Sequence, residues 1–319
     1  MKIKKIEKLD YSGMVYNIGT TPNHNYFVNR ILVHNCYKSN TGEGNNMSFD
    51  TFKTMFDKFP NHLTQIALGI GDIDGNPDLW KIMEYCRAND VVPNITINGF
   101  RYTESDISRL ASLCGAVSVS NYNSKNCYDT ISDLRDAGLT QINIHQLMAE
   151  ETIGQCKQVL MDARAGRIRG LNAIVFLWLK PKGRAVGSFT QVQDPEKYKV
   201  LIEYAMEYDI PIGFDSCGAG KFAAAIRGRA DYDKLAPMIE SCESTLFSGY
   251  IDCRAKFFPC SFAEGTKGWE TGLDILECAD FVKDIWNNDR VVEFRNKTIA
   301  SKDCNGCRQC QVYDLGFGK

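Results

Sequence analysis

Residues 116–147, AVSVSNYNSKNCYDTISDLRDAGLTQINIHQL, contain one complete unit of the pattern that decides the fold. The first five and the last seven residues alternate apolar and polar side chains, as β-strands with one buried face do. Between them, residues 127–138 have apolar side chains at helical spacing and end at a glycine, as helices commonly do. A strand, a helix and a second strand in this order predict two parallel strands joined by a right-handed crossover.

The same unit repeats on both sides of this stretch. Strand patterns that are each followed by a helix pattern occur at 64–70, 92–99, 116–120, 141–147 and 173–179. A further helix, MSFDTFKTMFDKF at 47–59, precedes them, and Ser48 is placed to cap it. We therefore expect part of a β/α barrel, in which side chains at the carboxyl ends of the strands form the site.

The overall composition narrows the class of protein. A formal net charge of -2 over 319 residues gives no broad attraction to nucleic acid or to an anionic membrane. No apolar run reaches the roughly 18 residues of a membrane span, and no signal-peptide pattern follows Met1. We expect a soluble cytoplasmic protein with no membrane partner. Its 13 cysteines would be reduced there, which favours metal binding or catalysis over disulfides.

Three segments differ in pattern. Residues 1–35 alternate over short stretches between turn residues, which predicts a small all-β unit. Residues 36–216 carry the strand–helix units. Residues 217–319 break that pattern and predict short strands and long loops, and eight of the cysteines fall there. We expect three domains with these boundaries, the last organised by its cysteines.

The end of the all-β segment carries a specific motif. ILVHN at 31–35 is followed by Cys36, and VYNIG at 15–19 and HNYF at 24–27 precede it. Together these stretches resemble the two closing motifs of an intein, a segment that excises itself from a protein. One position departs from the motif, since many inteins have an acidic residue where Asn17 stands.

The intein resemblance implies a defined chemistry at Asn35 and Cys36. The Asn35 side chain would attack its own carbonyl and break the bond to Cys36, with His24 and His34 assisting by acid–base and oxyanion stabilisation. The Cys36 thiol would take over the acyl group as a thioester. The alternative is that His34 and Asn35 form an ordinary polar turn.

The N-terminal region of an intein spans roughly a hundred residues and carries its own nucleophile and a Thr-x-x-His motif, whereas only 35 residues precede the splice point here. The chain therefore resembles the C-terminal piece of a split intein. Its partner would be a separate N-terminal polypeptide that carries the other intein half and an upstream extein. A truncated gene or a designed fragment is the competing interpretation.

Cys36 also begins a second resemblance. The chain after it is similar to radical S-adenosylmethionine enzymes in its short polar motifs at strand ends, such as LGIGD at 68–72 and TING at 96–99. That family holds a [4Fe–4S] cluster in a Cys-x-x-x-Cys-x-x-Cys loop. The resemblance implies that Cys36 is the third ligand, and that the first two lie on the separate N-terminal polypeptide. The implied fold is α/β, a partial (β/α)6 TIM-like barrel that lacks its first strand.

The same resemblance implies the residues that bind S-adenosylmethionine. They all follow or end predicted strands: Gly69, Gly71, Asp72, Asn98, Ser118, Ser120 and Asn143. His145 ends the same predicted strand as Asn143, and Asp72 stands where the family has Glu. A reductant such as flavodoxin or ferredoxin would supply the electron that cleaves the cofactor to a 5′-deoxyadenosyl radical. Taken singly, each motif is an ordinary turn.

The Cys-rich end suggests a second metal centre. FFPCS at 257–261 resembles the hairpin that carries auxiliary-cluster ligands in radical enzymes with a SPASM or twitch extension, which act on peptide or protein side chains. The expected ligands of an auxiliary [4Fe–4S] cluster are Cys242, Cys260, Cys307 and Cys310, followed by Cys217 and Cys304. The same spacing of cysteines is equally compatible with a zinc site. A non-catalytic, zinc-binding barrel protein with a splicing segment is therefore the alternative.

The splicing assignment can be tested at one side chain. Asn35→Ala removes the amide that would attack the peptide bond, so residues 1–35 should remain attached to the chain after it is mixed with its partner polypeptide. Mass spectrometry of the intact chain measures this. Release of the segment from the variant would refute the assignment.

Overall fold

Six strands that follow one another in the chain form one parallel sheet. The computed structural model describes residues 46–69, 73–100, 102–302 and 307–313. The strands are β1 (Gln65–Leu68), β2 (Val92–Ile97), β3 (Val117–Ser120), β4 (Ile142–Met148), β5 (Ala173–Trp178) and β6 (Ile212–Phe214). Each strand pairs in parallel with the next, in the order β1 to β6.

Five helices connect these strands. They are α2 (Leu79–Ala88), α3 (Glu104–Leu113), α4 (Ser124–Asp136), α5 (Ile153–Arg164) and α6 (Pro195–Glu207). The predicted α/β fold with a parallel sheet is therefore confirmed for all five strand–helix units. The sequence pattern does not predict β6, because three residues with Gly213 in the middle give no usable alternation. The all-β segment predicted at 1–35 lies outside the described residues.

The two faces of the sheet differ in polarity. Ile95, Ile97, Val119 and Ile144 are at most 1% exposed and pack in one core with the apolar sides of the helices. Because side chains alternate along a strand, the intervening residues lie on the opposite face. Several of these are buried and polar: Asn94, Thr96, Ser118, Ser120, Asn143 and His145. The second face therefore suits a polar ligand better than an apolar layer.

The segment after the sheet combines short helices with a small antiparallel sheet. Its elements are α7 (Ala219–Ile226), α8 (Tyr232–Leu235), β7 (Tyr250–Ile251), β8 (Lys256–Phe258), β9 (Leu273–Asp274), a π-helical turn (Phe281–Trp286) and α9 (Asp289–Ala300). The short strands match the prediction, but α7 and α9 correct it. Helix α7 is apolar on nearly all sides and buried, so its sequence shows no amphipathic spacing.

A second core joins this segment to α1 (Phe49–Phe56). Ser48 caps the helix as predicted, since its Oγ accepts a hydrogen bond from the Thr51 N–H at 3.2 Å. On the buried side, Phe52 packs in the same core as Phe257 of β8 and Phe294 of α9. The last predicted domain thus shares apolar contacts with the first helix of the barrel segment, and the boundary at residue 216 stays a prediction. Within the described ranges, no helix is long and apolar enough to span a membrane.

The sheet core should dominate stability. Ile144 in β4 is completely buried, so Ile144→Ala leaves a cavity and should lower the free energy of unfolding by about 2–5 kcal/mol. Ile299 on α9 is 49% exposed, and Ile299→Ala should change the free energy by no more than about 0.5 kcal/mol. Urea unfolding followed by circular dichroism measures both. Equal losses would contradict the assignment of the core.

Candidate metal centre

Four cysteines that are far apart in the sequence line one cavity that is partly open to solvent. Cys217 follows β6, Cys242 precedes the small antiparallel sheet, Cys260 follows β8, and Cys310 lies near the end of the described residues. All four are among the predicted ligands. The fold brings them to one cavity through four separate loops.

Backbone N–H groups are directed at two of these sulfurs. The N–H groups of Val312 and Tyr313 donate to Cys310 Sγ, each at 3.4 Å. At Cys260, the backbone N–H groups of Phe262 and Ala263 lower the pKa of the thiol, and the Ala263 N–H donates to the Cys260 carbonyl oxygen at 3.1 Å. Hydrogen bonds of this kind favour the thiolate over the thiol and fix the direction of the sulfur. Both loops are therefore shaped to hold a thiolate.

Burial acts against a free thiolate at the same positions. Burial is the largest influence on the pKa of these thiols. It raises the pKa of Cys217 well above its usual value and the pKa of Cys260 to about 12, and it also raises the pKa of Cys310. Without a metal, these thiols stay protonated at neutral pH, and binding of a metal would release their protons. In the part of the chain that the structure describes, no three Cys, His, Asp or Glu side chains are grouped closely enough to hold a single metal ion.

A buried ion pair forms one wall of the cavity. Lys180 follows β5 and lines the cavity, and its Nζ donates to Asp215 Oδ2 just after β6. The other Asp215 oxygen accepts from the N–H groups of Trp178 at 3.1 Å and Gly218 at 3.0 Å. Burial lowers the pKa of Lys180, but the Asp215 charge and nearby thiols more than offset this, so the pKa is raised. Lys180 is therefore a cation beside the thiols.

Two further cations fix the loops that carry the cysteines. Lys182 Nζ donates to the carbonyl oxygens of Phe262 at 2.9 Å and Glu264 at 2.6 Å, in the loop after β8. Arg308 Nε donates to the carbonyl oxygen of Cys242 at 2.5 Å. Because each contact joins segments distant in sequence, these side chains set the spacing of the loops.

Of the remaining predicted ligands, the structure describes Cys307 alone. Cys307 is only 4% exposed and packs against Ala219 and Ala223 of α7, outside the lining of the cavity. Cys36 and Cys304 fall outside the described residues. Cys307 and Cys310 therefore have different surroundings, although only two residues lie between them in the sequence.

Sequence reasoning missed the pair of Lys180 and Asp215. The signal was present, because each is a charged residue directly after a buried strand, and parallel strands bring such positions to one edge. It was overlooked because β6 is too short to be predicted, which hid the position of Asp215.

Three of the predicted cofactor-binding residues lie at the carboxyl ends of strands. Gly69 directly follows β1, Asn98 follows β2, and Ser120 ends β3. The Asn98 Oδ1 accepts from the Phe100 N–H at 2.8 Å and the Tyr102 hydroxyl at 2.9 Å. Its carboxamide therefore closes a local turn at the edge where the predicted site lies.

Two predicted positions need correction. Ser118 and Asn143 are each the second residue of their strand, so they lie near the amino ends and not at the carboxyl ends. Asn143 Oδ1 accepts from Asn172 Nδ2 at 2.8 Å, just before β5. Alternation identifies the face of a strand on which a residue lies but not its height along the strand. Gly71 and Asp72 lie outside the described residues.

His145 lies on the polar face at the level of Ser120, its partner in the pairing of β3 with β4. It is 3% exposed, and its Nδ1 is 3.5 Å from Thr96 Oγ1. Burial, and to a lesser extent the charge of Lys180, lowers the pKa of His145 from 6.5 to about 3. The imidazole is therefore neutral at physiological pH, with one nitrogen able to donate and one able to accept a hydrogen bond.

Comparison with solved structures identifies the fold. The crystal structure of Streptococcus suis SuiB bound to S-adenosylmethionine superposes with a TM-score of 0.57 at 13% sequence identity, over 78% of this chain and 61% of that one. The structure of SuiB bound to its precursor peptide SuiA gives a TM-score of 0.52 at 13% identity, over 76% and 58%. The chain spans about three fifths of the length of SuiB. At this identity the likeness concerns the fold alone.

A further structure, of SuiB itself, gives a TM-score of 0.55 at 13% identity, over 78% of this chain and 62% of that one. No protein-family model and no curated protein matches the sequence.

The buried imidazole should make stability depend on pH. Between about pH 6.5 and pH 3 the unfolded chain binds a proton at His145 that the folded chain does not. Stability should therefore fall as the pH drops through this window, by up to about 1.4 kcal/mol per pH unit. His145→Gln should remove this contribution, as measured by urea unfolding at neutral pH and near pH 5. An unchanged pH dependence in the variant would contradict a neutral His145.

Proposed function

We propose that this chain forms the larger part of a radical S-adenosylmethionine enzyme, with an auxiliary [4Fe–4S] cluster held by Cys217, Cys242, Cys260 and Cys310. The observation that carries the proposal is the convergence of these four thiols on one cavity. Four thiolates complete the ligand set of such a cluster. A cavity bordered by sulfurs from four loops favours a polynuclear group over one ion.

The local environment of the sulfurs supports this assignment. Pairs of N–H groups at Cys260 and Cys310 stabilise thiolates, and Lys180 adds a positive charge on the cavity wall. A cluster with four thiolate ligands is an anion, so this surrounding charge is of the appropriate sign. Lys182 and Arg308 would hold the cysteine-bearing loops in place both before and after the cluster is bound.

The catalytic part of the proposal rests on sequence motifs and on the fold shared with SuiB, a protein solved with S-adenosylmethionine and with a precursor peptide. The catalytic cluster and its bound cofactor would supply a carbon radical by reductive cleavage of S-adenosylmethionine. Gly69, Asn98 and Ser120 at the strand ends would contact the cofactor. A neutral His145 on the polar face would orient a polar group of the cofactor or substrate without adding charge.

The proposal includes the origin of the catalytic cluster ligands. Cys36 would supply one, and an N-terminal polypeptide that splicing joins to Cys36, as residues 1–35 are released, would supply two. The closing motifs around His24 and His34 support this assignment. A flavodoxin or ferredoxin would be the electron donor, and a peptide or protein would be the substrate, by analogy with the precursor peptide of SuiB.

Zinc is the second candidate for the four-cysteine cavity. Thiolates bind zinc as readily as iron, and a structural zinc site also uses four ligands. A zinc site would make the segment after β6 a structural lobe without a redox role. The nature of the bound metal therefore separates the two functions.

The auxiliary cluster can be tested in the chain itself. After anaerobic loading with iron and sulfide, the chain should be brown and contain roughly four iron atoms in this site. Cys260→Ala and Cys310→Ala should each lose most of the iron. Cys127→Ala is the matched control, because Cys127 is fully buried on α4 and donates to the Val119 carbonyl, away from the cavity.

Two outcomes would refute the proposal. A colourless chain that retains zinc after the same treatment would favour the structural lobe. Equal iron loss in Cys127→Ala would mean that the loss reflects unfolding and not ligation.

The catalytic part is tested after splicing with the N-terminal partner, when reduction should convert S-adenosylmethionine to 5′-deoxyadenosine, measured by liquid chromatography.

A further inference from the structure

The ion pair of Lys180 and Asp215 has a fixed direction relative to the cysteine cavity. Lys180 is among the residues that line the cavity, whereas its partner Asp215 is not. Both carboxylate oxygens of Asp215 accept hydrogen bonds. Oδ1 accepts from the backbone N–H groups of Trp178 and Gly218, and Oδ2 accepts from Lys180 Nζ. The positive end of the pair therefore faces the sulfurs.

The pair has no formal net charge, but its two charges differ in distance from the sulfurs. Because Lys180 lines the cavity and Asp215 does not, the pair acts on the sulfurs as a net positive potential.

A purely structural role explains this arrangement poorly. The side chains of Lys180 and Asp215 are 6% and 0% exposed, and at such sites the cost of removing two charges from water offsets much of their attraction. Apolar residues of similar size commonly stabilise a core as well. The Asp215 side chain also caps backbone N–H groups, but that role needs no lysine.

We propose that Lys180 raises the reduction potential of the cluster held by the four cysteines. The inference rests on the proposed auxiliary cluster. Reduction of the cluster adds one electron from a low-potential donor such as a ferredoxin or flavodoxin, with no bond made or broken. The added negative charge is stabilised by a nearby ammonium in a site of low dielectric constant, so Lys180 favours the reduced state.

The test measures a potential and needs no enzymatic activity. The full chain carries Cys36→Ala in every sample, so that the ligand proposed for the catalytic cluster gives no signal. After anaerobic loading with iron and sulfide, each sample is titrated with dithionite and followed by electron paramagnetic resonance. Lys180→Gln should lower the ratio of reduced to oxidised cluster about tenfold at a fixed potential, which corresponds to a midpoint about 59 mV lower.

Two variants serve as matched controls. Lys180→Arg keeps the charge and should restore most of the lost potential. Lys197→Gln removes another paired lysine, whose Nζ donates to Glu150 Oε2 outside the cavity lining. It should change the midpoint by clearly less than Lys180→Gln. An equal shift in Lys197→Gln would overturn the specific role of Lys180.

The outcomes separate the inference from the proposed function. If the parent chain binds no iron–sulfur cluster, the proposed function fails. If Lys180→Gln binds the cluster with an unchanged midpoint, only the present inference fails. If Lys180→Gln does not fold, the double variant Lys180→Met with Asp215→Asn removes both charges and keeps the backbone contacts of residue 215. Its midpoint should also be lower, and an unchanged or higher value would overturn the inference.

Discussion

Parallel pairing of consecutive strands is the constraint on which the candidate site depends. Because the six strands of the sheet run in the same direction, their carboxyl ends meet at one edge. Lys180 and Asp215 come together there across 35 residues of sequence. Cys217 follows two residues later, so the edge of the sheet supplies the first thiol of the cavity. The segment after the sheet needs only to bring the other three to that edge.

Local periodicity is sufficient to predict five of the six strands of the sheet and the helices that connect them. Alternation at 116–120 and 141–147 marks strands, and it also marks the face on which Ser118 and Asn143 lie. The position of a residue along its strand cannot be predicted in this way, because it depends on where the strand pairs with its neighbours, and periodicity does not indicate that. The same limit explains β6, whose three residues are a strand only because β5 pairs with them.

Residue type identifies the cysteines as candidates for metal binding, but the path of each loop decides which of them line the cavity. Cys307 and Cys310 are close in sequence and chemically identical, yet one packs against α7 and the other lines the cavity. The N–H groups that contact Cys310 belong to the backbone, which is the same in every sequence. The backbone conformation of this loop makes it suitable for a thiolate, and the pattern of side chains in the sequence carries little information about that conformation. Long-range contacts such as that of Lys182 to the loop after β8 complete the selection.

The second core has a consequence for how the chain reaches this structure. Lys58, just after α1, donates to the carbonyl oxygen of Cys278 across 220 residues, and Phe52 packs beside Phe257. Contacts between such distant residues form late, because a long loop must close first, and they slow folding. Phe49 and Phe56 of α1 pack against Tyr85 of the neighbouring α2, whereas Phe52 also needs the distant Phe257 to complete its surroundings. Until the distant contacts form, part of the apolar side of α1 is open to non-native association.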